Sequence, residues 1–200
     1  MLWRRSKVRL HDAALVYAEL GIPVFPCHWP TAASPRRSAT AGCSCQLLAC
    51  SFPGEHPLVP DWLDAATTKR ARIDAWWYQH PRANVGLLTG VAFDVVDIPG
   101  VLVGRVALTA MPDGPVADTG TGRRHYFVAP SGRGNTAVPI RSTGTRQRLY
   151  RHGRGGYVLA APSRHVDGGI TQWLRPLTAP VPDAPPHALA AMAGIGEQSA

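Results

Sequence analysis

Apolar positions along the chain follow two rhythms, and each predicts its own kind of element. Across residues 11–20, Ala14, Leu15 and Ala18 recur at helical spacing with Val16 beside them, and Gly21 supplies a C-terminal stop. A second helix is predicted after Ala65, with Thr67 or Thr68 as N-cap. In it Arg72, Ile73, Trp76 and Trp77 are spaced so that one face packs and another stays charged, and His80-Pro81 ends it. Short apolar runs at 22–26, 85–88 and 93–98 read as strands, the last two joined by Thr89-Gly90 and the final one closed by Pro99. Strands are also predicted at 116–118, 123–128, 148–150, 157–160 and 170–174, divided by Gly-rich turns.

Residues 27–61 break both rhythms. They hold Pro, Ser, Gly and all four cysteines, and an insertion of that length needs a staple or a function. The sequence therefore reads as one domain over 1–176 interrupted by this insertion, with a Pro/Ala-rich flexible tail over 177–200. Composition agrees with a packed core, since 45% of residues are hydrophobic and only 17% charged. No apolar run reaches the roughly 18–20 residues of a membrane span. Asp12 and Glu19 interrupt what would be the apolar part of a signal peptide, so a cytoplasmic protein without membrane contact is expected.

Charge adds a partner class. The net +8 is almost all arginine, because Lys7 and Lys69 are the only lysines. GC-rich coding accounts for arginine over lysine but not for the positive excess. Guanidinium forks bind phosphate in bidentate fashion, so nucleic acid or nucleotide is the favoured partner.

Cys43, Cys45, Cys50 and His56 form the series C-x-C-x4-C-x5-H. Thiolates and an imidazole this close suit tetrahedral zinc, whose binding would supply folding energy that so short a segment lacks. With all four positions filled by protein, such a metal is structural. Disulfides and unpaired thiols are the alternatives, and Cys27 or His28 could stand in for one ligand. Cys27, following a strand, also reads as a small buried residue.

Two further segments carry chemistry. Residues 86–100 end an apolar strand in Asp94 and Asp97. Lying three apart on a strand, these carboxylates face opposite sides unless a bulge intervenes, and only then would both reach one cation. The competing reading makes one Asp a turn cap and leaves the other solvated. Residues 119–130 place a Gly-rich turn ending at Gly122 before Arg123, Arg124 and His125, a set able to hold phosphate; a His beside aromatics also fits a structural role. Arg154 lies in another Gly/Arg turn at 151–156.

Taken in order, several short motifs resemble the bifunctional DNA primase/polymerase domain of the archaeo-eukaryotic primase superfamily. They are Gly21-Ile22-Pro23-Val24-Phe25-Pro26, His56-Pro57, Ala66-Thr67-Thr68, Trp76-Trp77 and Asn84-Val85-Gly86-Leu87-Leu88-Thr89-Gly90. Thr119-Gly120-Thr121-Gly122 with His125 and Phe127, and the run from Gly155 to Ser163, complete the set over roughly 10–175. The resemblance implies an α+β fold with an RRM-like catalytic core, a mixed sheet and flanking helices, plus the zinc-knuckle insertion. It implies template-directed nucleotide addition by Mg²⁺ or Mn²⁺ held on Asp94 and Asp97, with His125 completing the catalytic set. Gly122, Arg123, Arg124, His125 and Arg154 would face phosphate. Single-stranded DNA or a primed template and a nucleoside triphosphate would be partners, and any unwinding would fall to a separate helicase.

The sequence also departs from the family pattern. Asp97 aligns with the first acid of its Asp-x-Asp pair and Pro99 with the second. The third acidic position falls near Leu149 or Tyr150, and Glu55 replaces a lysine. Asp118 is a distant substitute. Three functions follow for test: an active polymerase, a catalytically degenerate nucleotide- or nucleic-acid-binding relative, and a zinc-stapled interaction protein.

Overall fold

The structure, a computed structural model, describes residues 9–32, 42–100, 113–139 and 148–183. In chain order the helices are α1 (Leu10–Glu19), α2 (Trp62–Ala65) and α3 (Arg70–Gln79). The strands are β1 (Val24–Cys27), β2 (Pro30–Thr31), β3 (Gly42–Cys43), β4 (Asn84–Leu88), β5 (Asp94–Pro99) and β6 (Val116–Asp118). They continue with β7 (Arg123–Val128), β8 (Thr136–Pro139), β9 (Arg148–His152), β10 (Tyr157–Leu159) and β11 (Gln172–Arg175). The chain divides into two compact units, one of 1–88, 119–121 and 157–173, the other of 89–118, 122–156 and 174–200.

In the first unit β1, β4 and β10 form an antiparallel sheet with β4 central. All five β4 residues are buried, which is why this strand reads as a continuous apolar run. Helix α1 buries Ala13, Ala14, Leu15 and Tyr17, whereas Val16 is 39% exposed. Tyr17 takes the core position because its hydroxyl finds partners there. It donates to the Ala161 carbonyl at 2.6 Å and accepts from Trp173 Nε1 at 2.8 Å.

Helix α3 starts later than the threonines suggested. Thr67 exchanges both backbone hydrogen bonds with Val24 at 3.0 Å and lies two residues ahead of the N-cap, where its Oγ1 accepts the Lys69 amide at 3.1 Å. Lys69 occupies the N-cap without a side-chain bond, while Ile73 and Trp77 bury the inner face.

The second unit is built on a six-stranded sheet in the order β11-β6-β7-β5-β9-β8. Every pairing with a described register is antiparallel, against the expected mixed sheet. The strands flanking Thr89-Gly90 enter different sheets, β4 the small one and β5 the large one. Both are continuous apolar runs, and apolarity alone does not name a partner.

Alternation along β5, β7 and β9 assigns side chains to two faces. One face carries Val96, Ile98, Tyr126, Val128 and Leu149, all buried. The other carries Val95 and Phe127 at one end, and Asp97, Arg123, His125, Tyr150 and His152 further along. Part of the predicted tail is described: Leu177 is buried, and the Pro182 carbonyl accepts from the Ala129 amide at 2.7 Å. The rest of that tail, 184–200, lies outside the described residues.

Candidate functional site

The cysteine series converges in the first unit. One donor atom from each of Cys43, Cys45, Cys50 and His56 lies within 4.8 Å of all the others. Two ligands about 2.3 Å from a tetrahedral zinc sit roughly 3.8 Å apart, so this spacing fits a zinc-sized ion with little movement. Cys43 Sγ lies 3.3 Å from His56 Nε2 and accepts the Gly54 amide at 3.2 Å. Desolvation first, then the neighbouring Cys45 and Cys43, push the Cys50 thiol up to about 11. Thiols crowded in this way are relieved by a cation between them.

All four cysteines are free thiols, which sets the disulfide alternative aside. The stand-in ligands are also resolved. Cys27 is fully buried beside Phe25 and Leu159, and His28 Nδ1 is engaged with Ser44 Oγ at 2.8 Å. Among the described residues this is the one group of three or more His, Cys, Asp or Glu side chains placed to hold a metal.

The carboxylates do not converge. Residues 94–99 pair with 128–123 without interruption, so β5 has no bulge and Asp94 and Asp97 face opposite sides. Asp94 is fully buried. Its Oδ2 accepts from Ser131 N at 3.0 Å, Ser131 Oγ at 2.7 Å, and Arg151 Nε and Nη2 at 2.9 and 2.7 Å. Its Oδ1 receives no hydrogen bond among the described residues. Asp118 sits on the Asp94 side, 3.6 Å from Arg124, so neither replaces a partner for Asp97.

Asp97 has basic company. Arg123 Nε donates to Oδ1 and Oδ2 at 2.8 and 2.9 Å. His125 Nε2 and His152 Nε2 each lie 3.9 Å from one of its oxygens, close enough for charge but long for a hydrogen bond. Burial raises the Asp97 pKa, but His152, His125 and Arg123 together outweigh it, and the net direction is down.

That direction predicts a pH effect. A carboxyl depressed in the folded state contributes stability above its unfolded value near about 3.9, and that contribution is lost as pH falls through the folded value. Urea unfolding between about pH 4 and pH 2 should therefore show a shallower decline for Asp97→Asn than for wild type. Parallel declines would show that the basic cluster leaves Asp97 unperturbed.

Register identifies what occupies the other acidic slots. Pro99 lies two residues along the same face, and Tyr150 pairs directly with Asp97, whereas Leu149 points into the buried side. A pair of Mg²⁺ or Mn²⁺ ions requires several carboxylate oxygens, and this face offers one carboxylate already engaged by arginine. The donor set does not fit two-metal chemistry.

Arg123 continues to the Arg148 carbonyl at 2.9 Å, and its guanidinium lies 5.2 Å from the Tyr150 ring centroid. Tyr150 stacks with His152 at 6.2 Å. Gly122 precedes β7 at φ +79, and its carbonyl accepts the Gly100 amide at 2.6 Å. Arg154 is exposed in the turn after β9. Sequence reasoning missed His152, Arg151 and Ser131. Period-two alternation from Tyr150 would have placed His152 on the Asp97 face, but no sequence signal pairs Arg151 with Asp94.

Among the described residues no helix is long and apolar enough to cross a membrane. A family model described as "Bifunctional DNA primase/polymerase, N-terminal" matches residues 14–187. No curated protein matches the chain.

Proposed function

The chain belongs to the bifunctional DNA primase/polymerase N-terminal family, and from that premise we propose that it is a nucleic-acid-binding relative that has lost two-metal nucleotide transfer. The observation that carries this reading is the state of Asp97. It is the one carboxylate on its face of β5, β7 and β9, and it accepts a two-oxygen contact from Arg123. Asp94 stands on the opposite face with Oδ2 fully engaged.

What the face retains suits binding. Arg123, Arg148, His125, His152 and Tyr150 supply positive or ionisable groups beside an aromatic ring. Guanidinium groups next to aromatics bind the phosphates and bases of single strands with little sequence preference. The RRM-like arrangement of the family core fits this sheet-borne face, and zinc bound by the Cys₃His cluster would brace the first unit.

Primer extension with Mn²⁺ tests the loss of chemistry. Wild-type protein is expected to incorporate no nucleotide, on ribo- or deoxynucleotides. Template-dependent extension that disappears in Asp97→Ala would overturn the reading and restore an active polymerase. Binding is tested in parallel by fluorescence anisotropy against single-stranded DNA. With three phosphates contacted, affinity should fall roughly twentyfold between 50 and 200 mM salt, at about 0.7 logarithmic units per phosphate. Flat or absent binding would instead favour a zinc-stapled interaction protein.

A further inference from the structure

Two loops meet at one end of the large sheet. There β5 begins, β7 ends, β8 begins and β9 ends, as the pairs Asp94↔Val128, Val95↔His152 and Thr136↔Arg151 establish. Loop 129–135 and turn 153–156 are tied to each other by backbone bonds and by the Asn135 side chain. Arg154 N donates to the Arg133 carbonyl at 2.7 Å, Gly153 N donates to Asn135 Oδ1 at 3.0 Å, and Gly134 bridges Arg154.

Each loop is also anchored from beneath. Asp94 holds Ser131 by backbone and side chain, and Ser131 Oγ in turn accepts the Arg133 amide at 3.2 Å. Thr89 Oγ1 donates to the Gly153 carbonyl at 2.7 Å, and the Thr89 amide donates to the Gly156 carbonyl at 3.0 Å. Gly90, at φ +82, lies so close that a Cβ there would overlap the Arg154 backbone. This fixed platform presents Arg133 and Arg154, both exposed and neither with an acidic partner among the described residues.

Along β9, His152, Tyr150 and Arg148 alternate onto one side, and Arg154 follows in the turn two residues past the strand, so the segment from Arg148 to Arg154 spans at most about 20 Å at roughly 3.3 Å per residue. His152 and Tyr150 share the Asp97 face by register, and Tyr150 is 37% exposed. A single triphosphate is too short to engage both ends of such a segment, whereas a polynucleotide offers a phosphate at every step.

We propose that β9 and the tied loops 129–135 and 153–156 form a track for single-stranded nucleic acid, with Arg133 and Arg154 clamping backbone phosphate at its end. This rests on the nucleic-acid-binding reading above and adds the path of the strand. Asp94, Ser131, Thr89 and Asn135 are positioning residues for the clamp and touch no ligand.

Anisotropy against single-stranded DNA over a salt series distinguishes the possibilities. Arg133→Ala/Arg154→Ala is expected to lower the salt slope by about 1.4, two phosphates at about 0.7 each. Tyr150→Ala is expected to weaken binding about fivefold or more with the slope unchanged, as loss of stacking does. A control that removes two exposed arginines elsewhere, Arg72→Ala/Arg82→Ala, should leave the slope as in wild type. Titration with nucleoside triphosphate alone separates the two phosphate sources. If the clamp variant loses triphosphate binding while its DNA slope is unchanged, the track is wrong. Wild type that binds DNA with a slope indifferent to both arginines also overturns it. Wild type that binds no DNA sinks the parent reading as well.

Discussion

One zinc ion per chain is expected in protein purified or refolded with zinc, and Cys43→Ser is expected to remove it together with the order of the insertion. Among its described residues, the stretch between the ligands has little apolar packing to hold it without the metal. Leu47, Leu48 and Phe52 are 68%, 90% and 65% exposed, so the segment between the ligands buries little apolar surface of its own. Structural zinc in comparable peptides contributes about 10–16 kcal/mol of apparent binding energy, which is folding energy where no site preforms.

The loss should reach beyond the insertion. Asn84, fully buried at the start of β4, donates to the carbonyls of Gly54 at 2.8 Å, Arg164 at 2.8 Å and His28 at 3.3 Å. Tyr157 donates to the Glu55 carbonyl at 3.0 Å, and His165 Nδ1 lies 2.7 Å from Glu55 Oε1. When residues 54 and 55 move, Asn84 is left with buried polar groups short of partners, at about 1–3 kcal/mol each. Metal analysis with amide exchange of residues 42–58 and of β4 is the check. A zinc-free wild type with protected amides in both segments would remove zinc from the account.

How much of this was legible follows from what each signal depends on. The Cys₃His cluster could be read because its four donors lie within fourteen residues, so local spacing carries the geometry. Strand parity was equally local: Asp94 and Asp97 differ by three, and the unbroken β5–β7 ladder leaves them on opposite faces as alternation requires. Partnership was not local. β4 and β5 are both buried runs, and nothing in VGLL or FDVVDI says that they join different sheets. Residues 136–139 went unassigned because TAVP is short and ends in proline, although β8 pairs along its whole length with β9. The Ala66-Thr67-Thr68 signal placed the cap one or two residues early: the N-cap is Lys69, and Thr67, bridged to Val24 more than forty residues away, turns its Oγ1 onto the Lys69 amide just before the helix. Glu55 stands where the resemblance expects lysine, and its observed partner is His165, a distant residue that no motif named.

Asp94→Ala is expected to destabilise the fold by about 3–5 kcal/mol, the range seen when one member of a buried ion pair is removed. The Arg151 side chain is 13% exposed and would keep its charge with no carboxylate opposite, while Ser131 would lose the acceptor of both its amide and its hydroxyl. Asp97→Ala should cost less. Arg123 is more exposed, at 26%, and retains the Arg148 carbonyl as an acceptor. Urea unfolding of the two variants side by side gives the comparison, and a larger loss for Asp97→Ala would contradict it. The double variant Asp94→Leu/Arg151→Met should recover most of the Asp94→Ala loss, because replacing both charges removes the uncompensated one. Recovery would identify the carboxylate that sequence alone made a candidate metal ligand as half of a buried ion pair, one that fixes where the 129–135 loop begins.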